Sequence, residues 1–166
     1  MIGRWIRKLK QKFYTWRVKR ACAYYGADLK VNHRCQVTNQ TFLRDNVNFN
    51  GMYIAGQGKV EIGNNFHSGI ECMILTQNHN YDKGNKIPYD DTVICKDIKI
   101  KDQVWLGNRV LILGGVTIGE GAIIQAGSVV SSNIPDYAIA GGNPARVFKM
   151  RDIEHYNRLK SEEKFK

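Results

Sequence analysis

The sequence predicts a mainly β chain wound as a parallel β-helix of triangular section, and a pair of matched periodicities predicts it. Aliphatic residues stand at Ile94, Ile100, Leu106, Ile112, Ile118, Ile124 and Val130, an unbroken spacing of six. Four residues after each comes a small or β-branched residue, at Ile98, Val104, Val110, Val116, Ala122, Ser128 and Ile134. A period of six matches neither the 3.6 of an α-helix nor the strict alternation of a half-buried strand. It does match three flat faces in a coil of about 18 residues. One aliphatic side chain per face points inward and the small residue near the corner lets coils stack. Gly107, Gly119, Gly121 and Gly127 suit the turns.

The elements follow in chain order. Ile2, Trp5, Ile6, Leu9, Phe13 and Trp16 fall at helical spacing among basic residues, which predicts an amphipathic helix over 2–20. Residues 1–25 are accordingly set apart as a basic N-terminal helix, residues 26–135 as a β-helix domain of about five coils, and residues 136–166 as a C-terminal tail and helix. The early repeat is looser: Val31, Val37, Leu43 and Phe49 keep the spacing, a one-residue slip falls within Ala55 to Glu61, and Ile62, Ser68 and Ile74 resume it. The interval from Ile74 to Ile94 is 20, so residues 76–93 must leave the prism as a protruding loop. A loop that long in a compact repeat is usually functional. Residues 152–165 read as a short charged helix capped by Asp152. Helices at both ends would cover the open edges of a β-helix.

Composition narrows the class. With 166 residues, 43% hydrophobic and 24% charged, and with 3 prolines, the chain suits one globular domain and is neither collagen-like nor disordered. The net charge of +10 raises polyanionic partners, but Arg4, Arg7, Lys8, Lys10, Lys12, Arg17, Lys19 and Arg20 supply 8 of it, leaving +2 for the other 146 residues. Cys22, Cys35, Cys72 and Cys95 form no CxxC pair, which argues against a zinc knuckle or a disulfide framework and for a reduced, cytoplasmic setting. The N-terminus lacks the apolar core of a signal peptide, and no run of apolar residues is long enough to span a bilayer. Two readings of the basic helix stay open: a cap packed on the prism end, or an interfacial helix at the inner face of the membrane.

VTIGEGAIIQAGSVVSSNIP at 116–135, AGGNPARVFKMR at 140–151, NH at 78–79 and VWLG at 104–107 resemble the hexapeptide-repeat acetyltransferases, in particular the branch that O-acetylates sugars. The resemblance covers roughly residues 31–150. It implies a left-handed parallel β-helix, an exception to the usual right-handed crossover. It also implies a homotrimer with active sites between protomers, acetyl-CoA as cosubstrate, no required metal, and direct transfer to a hydroxyl of a sugar or cell-envelope glycan. His79 matches the loop histidine that serves as general base. Such a role is chemically apt, because an imidazole titrating near neutral pH can take the proton of an attacking hydroxyl.

For the donor, the resemblance implies contacts from Asn108, Ala126, Ser131, Ser132, Arg146 and Lys149, with Trp105 beside the site. Arg and Lys suit the CoA phosphates. Ser132 stands where relatives often carry Lys, and Asn80 where they often carry Pro. For the acceptor, Asn48, Asn50 and Asp82 are the candidates, while Gln57 stands where relatives have an acidic residue. The metal-dependent carbonic anhydrases built on this helix need two histidines five residues apart, and His33, His67, His79 and His155 include no such pair. A nucleic-acid reader motif is also missing. A streptogramin-type xenobiotic O-acetyltransferase and a non-catalytic scaffold remain as alternatives.

Overall fold

The computed structural model describes residues 2–166. Helix α1 (Ile2–Ala21) leads into a parallel β-helix that can be followed coil by coil. The first coil holds β1 (Tyr24–Tyr25), β2 (Lys30–Val31) and a bridge from Gln36 to Tyr53. The second holds β3 (Thr41–Leu43), β4 (Asn48–Asn50) and β5 (Tyr53–Ala55), and the third β6 (Val60–Ile62), β7 (His67–Ile70) and β8 (Met73–Leu75). An antiparallel pair, β9 (Gln77–His79) and β10 (Val93–Cys95), then leaves the prism as an arm. The fourth coil holds β11 (Ile98–Ile100), β12 (Trp105–Leu106) and β13 (Leu111–Leu113), and the fifth β14 (Thr117–Ile118), β15 (Ile123–Ile124) and β16 (Val129–Val130). A partial sixth coil consists of the Ile134 bridge and β17 (Ala138–Gly141), after which β18 (Arg146–Met150) turns back antiparallel and α2 (Ile153–Ser161) ends the chain.

These strands stack into the three faces that the six-residue period requires. Face one is β1-β3-β6-β11-β14, face two is β2-β4-β7-β12-β15-β17 with β18 at its end, and face three is β5-β8-β13-β16. Pairs such as Tyr24 with Phe42, Lys30 with Asn48 and Leu111 with Val129 lie 18 residues apart, one coil. The slip appears where Thr41 pairs with Val60, an offset of 19. The insertion appears where Val60 pairs with Ile98, an offset of 38, or one coil of 18 plus 20 residues.

Inside, Ile100, Leu106, Ile112, Ile118, Ile124 and Val130 are at most 1% exposed, and every residue four positions after them is also buried. Ile94 departs from this series: it is 40% exposed because it belongs to β10 of the arm. The arm therefore runs two residues beyond the expected 76–93, to Cys95, and the prism resumes at Lys96 to Ile98 rather than at Ile94. Phe49 and Phe66 pack edge to face inside the second and third coils, their ring centroids 5.9 Å apart.

The corners explain the turn residues. Between faces one and two, each coil places one residue at positive φ: Asp28, Asn46, Asn65, Gln103, Gly121 and Tyr137, with φ from 52° to 66°. Asn and Asp tolerate this region better than most L residues. Beside them a side-chain column ties coil to coil, with Ala27 N donating to Asp45 Oδ1 at 2.7 Å, Asp45 N to Asn64 Oδ1 at 3.0 Å and Asn64 N to Asp102 Oδ1 at 2.7 Å. Gly119 serves another purpose, because a Cβ there would lie 2.3 Å from Asp136 N in the next coil.

Both terminal helices depart from simple end caps. α1 docks through Val18, which is buried, and through Gln11 Nε2 donating to Asn32 Oδ1 at 2.6 Å and Val31 N donating to Thr15 Oγ1 at 3.1 Å. Its Trp and Phe stripe, the apolar face expected to pack in a cap, is left exposed. At the other end β18 covers the edge of face two, while α2 lies on the flank. Asp152 caps α2 as expected, accepting from His155 N at 2.9 Å. Tyr156 seats the helix against Gly121 and Glu120, and burial followed by the Glu120 carboxylate pushes its phenol well above the ordinary value.

The corrected assignment of Ile94 has a measurable consequence. Ile112→Ala should destabilise the protein by about 2–5 kcal/mol through transfer loss and a cavity. Ile94→Ala should cost less than about 1 kcal/mol, as for an exposed residue. Denaturant unfolding of the two variants checks this, and equal losses would contradict the inward and outward placement.

Candidate active site

The arm is built to hold one end rigid and present the other. Its root, Thr76, is fully buried; Thr76 Oγ1 donates to Ala55 O at 3.0 Å and accepts from Gly58 N at 3.1 Å. Lys96 N donates to Thr76 O at 2.7 Å and closes the neck. Gln77, Asn78 and His79 then pair with Cys95, Ile94 and Val93. At the tip, Asp90 gathers the chain by accepting from Thr92 N at 2.9 Å, Asn85 N at 3.3 Å and Asn80 Nδ2 at 3.4 Å. The Thr92 N–H chiefly holds the Asp90 carboxyl below its ordinary value.

His79 stands at the outer end of β9, exposed, with its ring stacked on Tyr89 at 3.9 Å between centroids and 14° between planes. Tyr89 returns from the loop tip to lie on the imidazole, which restricts the ring while leaving its edge open. Neither Tyr89 nor Asp90 is marked by the six-residue period, since both belong to the interruption. Their signal was their membership of a long insertion containing the sole arm histidine.

The other expected residues fall along two corners of the prism. Asn108 and Ala126 are exposed at the corner between faces two and three, on neighbouring coils, where Gly127 N donates to Asn108 O at 2.8 Å. The GGNPA turn continues that corner: Val129 N donates to Gly142 O at 3.0 Å and Ala145 N to Val129 O at 2.8 Å. It delivers Arg146 and Lys149 on the exposed strand β18. Asn108 is also structural, since its Oδ1 accepts from Ile70 N at 3.0 Å. Ser131 and Ser132 lie at the opposite corner, between faces three and one, from which the arm also departs. Trp105 is on face two, outward beside His67 and Ile123.

The acceptor candidates separate in the same way. Asn48 is buried, its Nδ2 donating to Asn46 Oδ1 at 3.2 Å, and Asn50 links coils by donating to Ser68 O at 2.7 Å and accepting from Asn32 Nδ2 at 2.8 Å. Asn48 thus ties its own corner, and Asn50 acts in stacking. Asp82 is exposed on the arm. Among the described residues, no three His, Cys, Asp or Glu side chains come together as a metal-binding group.

Face three, between the two corners, carries a feature the inward period could not reveal. Its outward column runs Tyr53, Met73, Leu111, Val129, and a second column runs Ala55, Leu75, Leu113. Face one instead presents Phe42, Glu61, Lys99 and Thr117 outward. An apolar face of this kind suits contact with protein rather than water.

Comparison with known proteins agrees with this architecture. The family described as bacterial transferase hexapeptide (six repeats) matches residues 97–132. A Schizosaccharomyces pombe protein classed as an acetyltransferase is 40% identical over 96 residues, covering 58% of this chain and 44% of the relative. A galactoside acetyltransferase solved with coenzyme A superposes with a TM-score of 0.72 at 27% identity, covering 86% of this chain and 70% of that one. A maltose O-acetyltransferase from Clostridium difficile 630 gives a TM-score of 0.63 at 29% identity, covering 78% and 66%. Residues 97–132 carry the hexapeptide repeat of that family, and the chain as a whole is similar in fold to these acetyltransferases. The matched stretch spans only 28–44% of the length of four curated relatives.

The stacked geometry predicts a spectroscopic signature. The Tyr89 ring current should move the His79 imidazole proton resonances upfield, Tyr89→Phe should keep that shift, and Tyr89→Leu should remove it. Imidazole resonances that do not respond to Tyr89→Leu would show that the rings are not stacked in solution.

Proposed function

We propose that this chain is an acetyl-CoA-dependent O-acetyltransferase acting on a hydroxyl of a sugar or cell-envelope glycan, as a homotrimer with sites between protomers. The observation that carries the reading is the placement of two sets of residues on opposite edges of one apolar face. The His79 arm, Ser131 and Ser132 stand at one edge of face three; Asn108, Ala126 and the turn leading to Arg146 stand at the other. Packing face three around a three-fold axis brings one edge of each protomer against the other edge of its neighbour, a head-to-tail contact that closes into a ring. Each junction then holds one His79 arm and one donor lane.

In that cleft an imidazole nitrogen of His79 takes the proton of the acceptor hydroxyl as its oxygen attacks the thioester carbonyl. The new C–O bond forms, the C–S bond breaks, and the imidazolium returns the proton to the departing CoA sulfur. No acyl-enzyme is required, so both substrates are bound together. Arg146 and Lys149 suit the CoA phosphates. Tyr89 fixes the imidazole plane and acts as a positioning residue. Asp82, exposed and on the same arm as His79, is the acceptor contact of choice over Asn48, whose amide bonds Asn46 in its own corner, and Asn50, whose amide bonds the next coil. Support for a sugar acceptor comes from the galactoside and maltose acetyltransferases that the chain resembles. A donor made inside the cell sets the reaction on the cytoplasmic side.

Thiol release from acetyl-CoA, screened over free sugars, nucleotide sugars, lipid-linked oligosaccharides and antibiotic hydroxyls, tests the reading. Release should depend on a sugar acceptor, and His79→Ala should lower kcat by about 10²–10⁴-fold. Unchanged release in His79→Ala would overturn the base assignment, and release with antibiotics alone would reassign the acceptor. Leu111→Glu, which places a charge on face three, should convert the trimer to a monomer in sedimentation and abolish release. A fully active monomer would contradict the shared site.

A further inference from the structure

The way α1 is docked leaves its apolar stripe without a partner. A period of about 3.6 residues per turn puts Gln11, Thr15 and Val18 on one side of the helix and Trp5, Leu9, Phe13 and Trp16 on the other. The first group makes the contacts to the prism. The second faces away: Trp5 is 64% exposed, Phe13 53% and Trp16 51%. Phe13 and Trp16 stack on each other with centroids 6.1 Å apart, and the Arg20 guanidinium lies 5.1 Å from the Trp16 ring, so the stripe is a continuous aromatic surface.

Charge identifies what fits this surface. Lys10 and Arg17 flank the stripe on one side, and Lys8, Lys12 and Lys19 on the other, in a helix that contains no acidic residue. Among the described residues none of these cations forms an ion pair with a carboxylate. A second copy of the same stripe would bring two cationic rims together, which is unfavourable. An anionic bilayer instead offers an acyl boundary for the aromatic centre and phosphates for both rims, the pattern of an interfacial helix. No described helix is long and apolar enough to cross a membrane, so the contact is a surface one.

We infer that α1 is a membrane-docking element: it anchors the prism by Gln11, Thr15 and Val18 while Trp5, Ile6, Leu9, Phe13 and Trp16 enter the headgroup region of an anionic leaflet. The inference is independent of the reaction catalysed, because the helix is fixed to the first coil and contributes nothing to the arm or the donor corners. It implies that the prism stands on the bilayer by its N-terminal end.

Sedimentation of the full-length protein with phosphatidylcholine vesicles, with and without phosphatidylglycerol, tests it. The protein should pellet with phosphatidylglycerol-containing vesicles, and the bound fraction should fall as salt is raised. The double variant Trp5→Glu, Phe13→Glu should bind at least about ten-fold more weakly, with helix content and oligomeric mass unchanged by circular dichroism and analytical ultracentrifugation. No preference for the anionic vesicles would overturn the inference. Binding that survives the double variant would mean charge attraction without insertion and would also overturn it. A fall in oligomeric mass in the variant would assign the stripe to self-association instead.

Discussion

Everything in this molecule depends on the burial of one side chain in every six against its counterparts one coil above and below. Leu106, for example, is fully buried and pairs with Ser68 above and Ile124 below. Because each strand is only two to five residues long, no face would be stable alone. Stability comes from stacking, and stacking fixes the register of every outward residue as strictly as that of every inward one. The corner residues at positive φ and the Asp45, Asn64 and Asp102 column act in the same direction, holding each turn to the next.

A frame of that rigidity makes function a matter of what departs from it. The arm leaves at a buried threonine, is clamped at its neck by the Lys96 N to Thr76 O hydrogen bond, and carries an exposed histidine on a paired strand rather than on a free loop. Asn108, Ala126 and the turn to Arg146, proposed to hold the donor, lie along a corner where successive coils present exposed side chains. Neither feature needs the prism to move. The same rigidity explains why the two sets cannot meet within one protomer: they are separated by the full width of face three. Its apolar outward columns offer the surface on which, in the proposed trimer, a neighbour would complete the site.

Much of this was legible in the sequence because the period of six is itself the packing rule. The inward positions, the slip before β6, the interruption and its histidine, and the Asp152 cap could all be read directly. What could not be read was whatever the period does not govern. Ile94 sits on the repeat by spacing alone, yet the strand pairing of Val93 to Cys95 with Gln77 to His79 draws it into the arm. Asn48 and Asn50 look like polar groups awaiting a substrate until their amides are seen engaged, that of Asn48 by Asn46 within a corner and that of Asn50 between coils. Tyr89 and Asp90 organise the arm through contacts that span a loop of irregular backbone. Which side of α1 meets the prism is likewise a tertiary outcome: a half-polar face with Gln11 and Thr15 matched unpaired groups of the first coil, and the more apolar face was left outside.

The central claim is that His79 and the donor corner come from different protomers, and subunit complementation tests it most directly. His79→Ala removes the base, and Ala126→Trp blocks the donor corner; each homotrimer should be inactive. Random 1:1 mixed trimers should regain about a quarter of wild-type activity per junction, the chance that an intact arm faces an intact donor corner across a head-to-tail interface. Mixed trimers that remain inactive would contradict the account and place the complete site within a single chain.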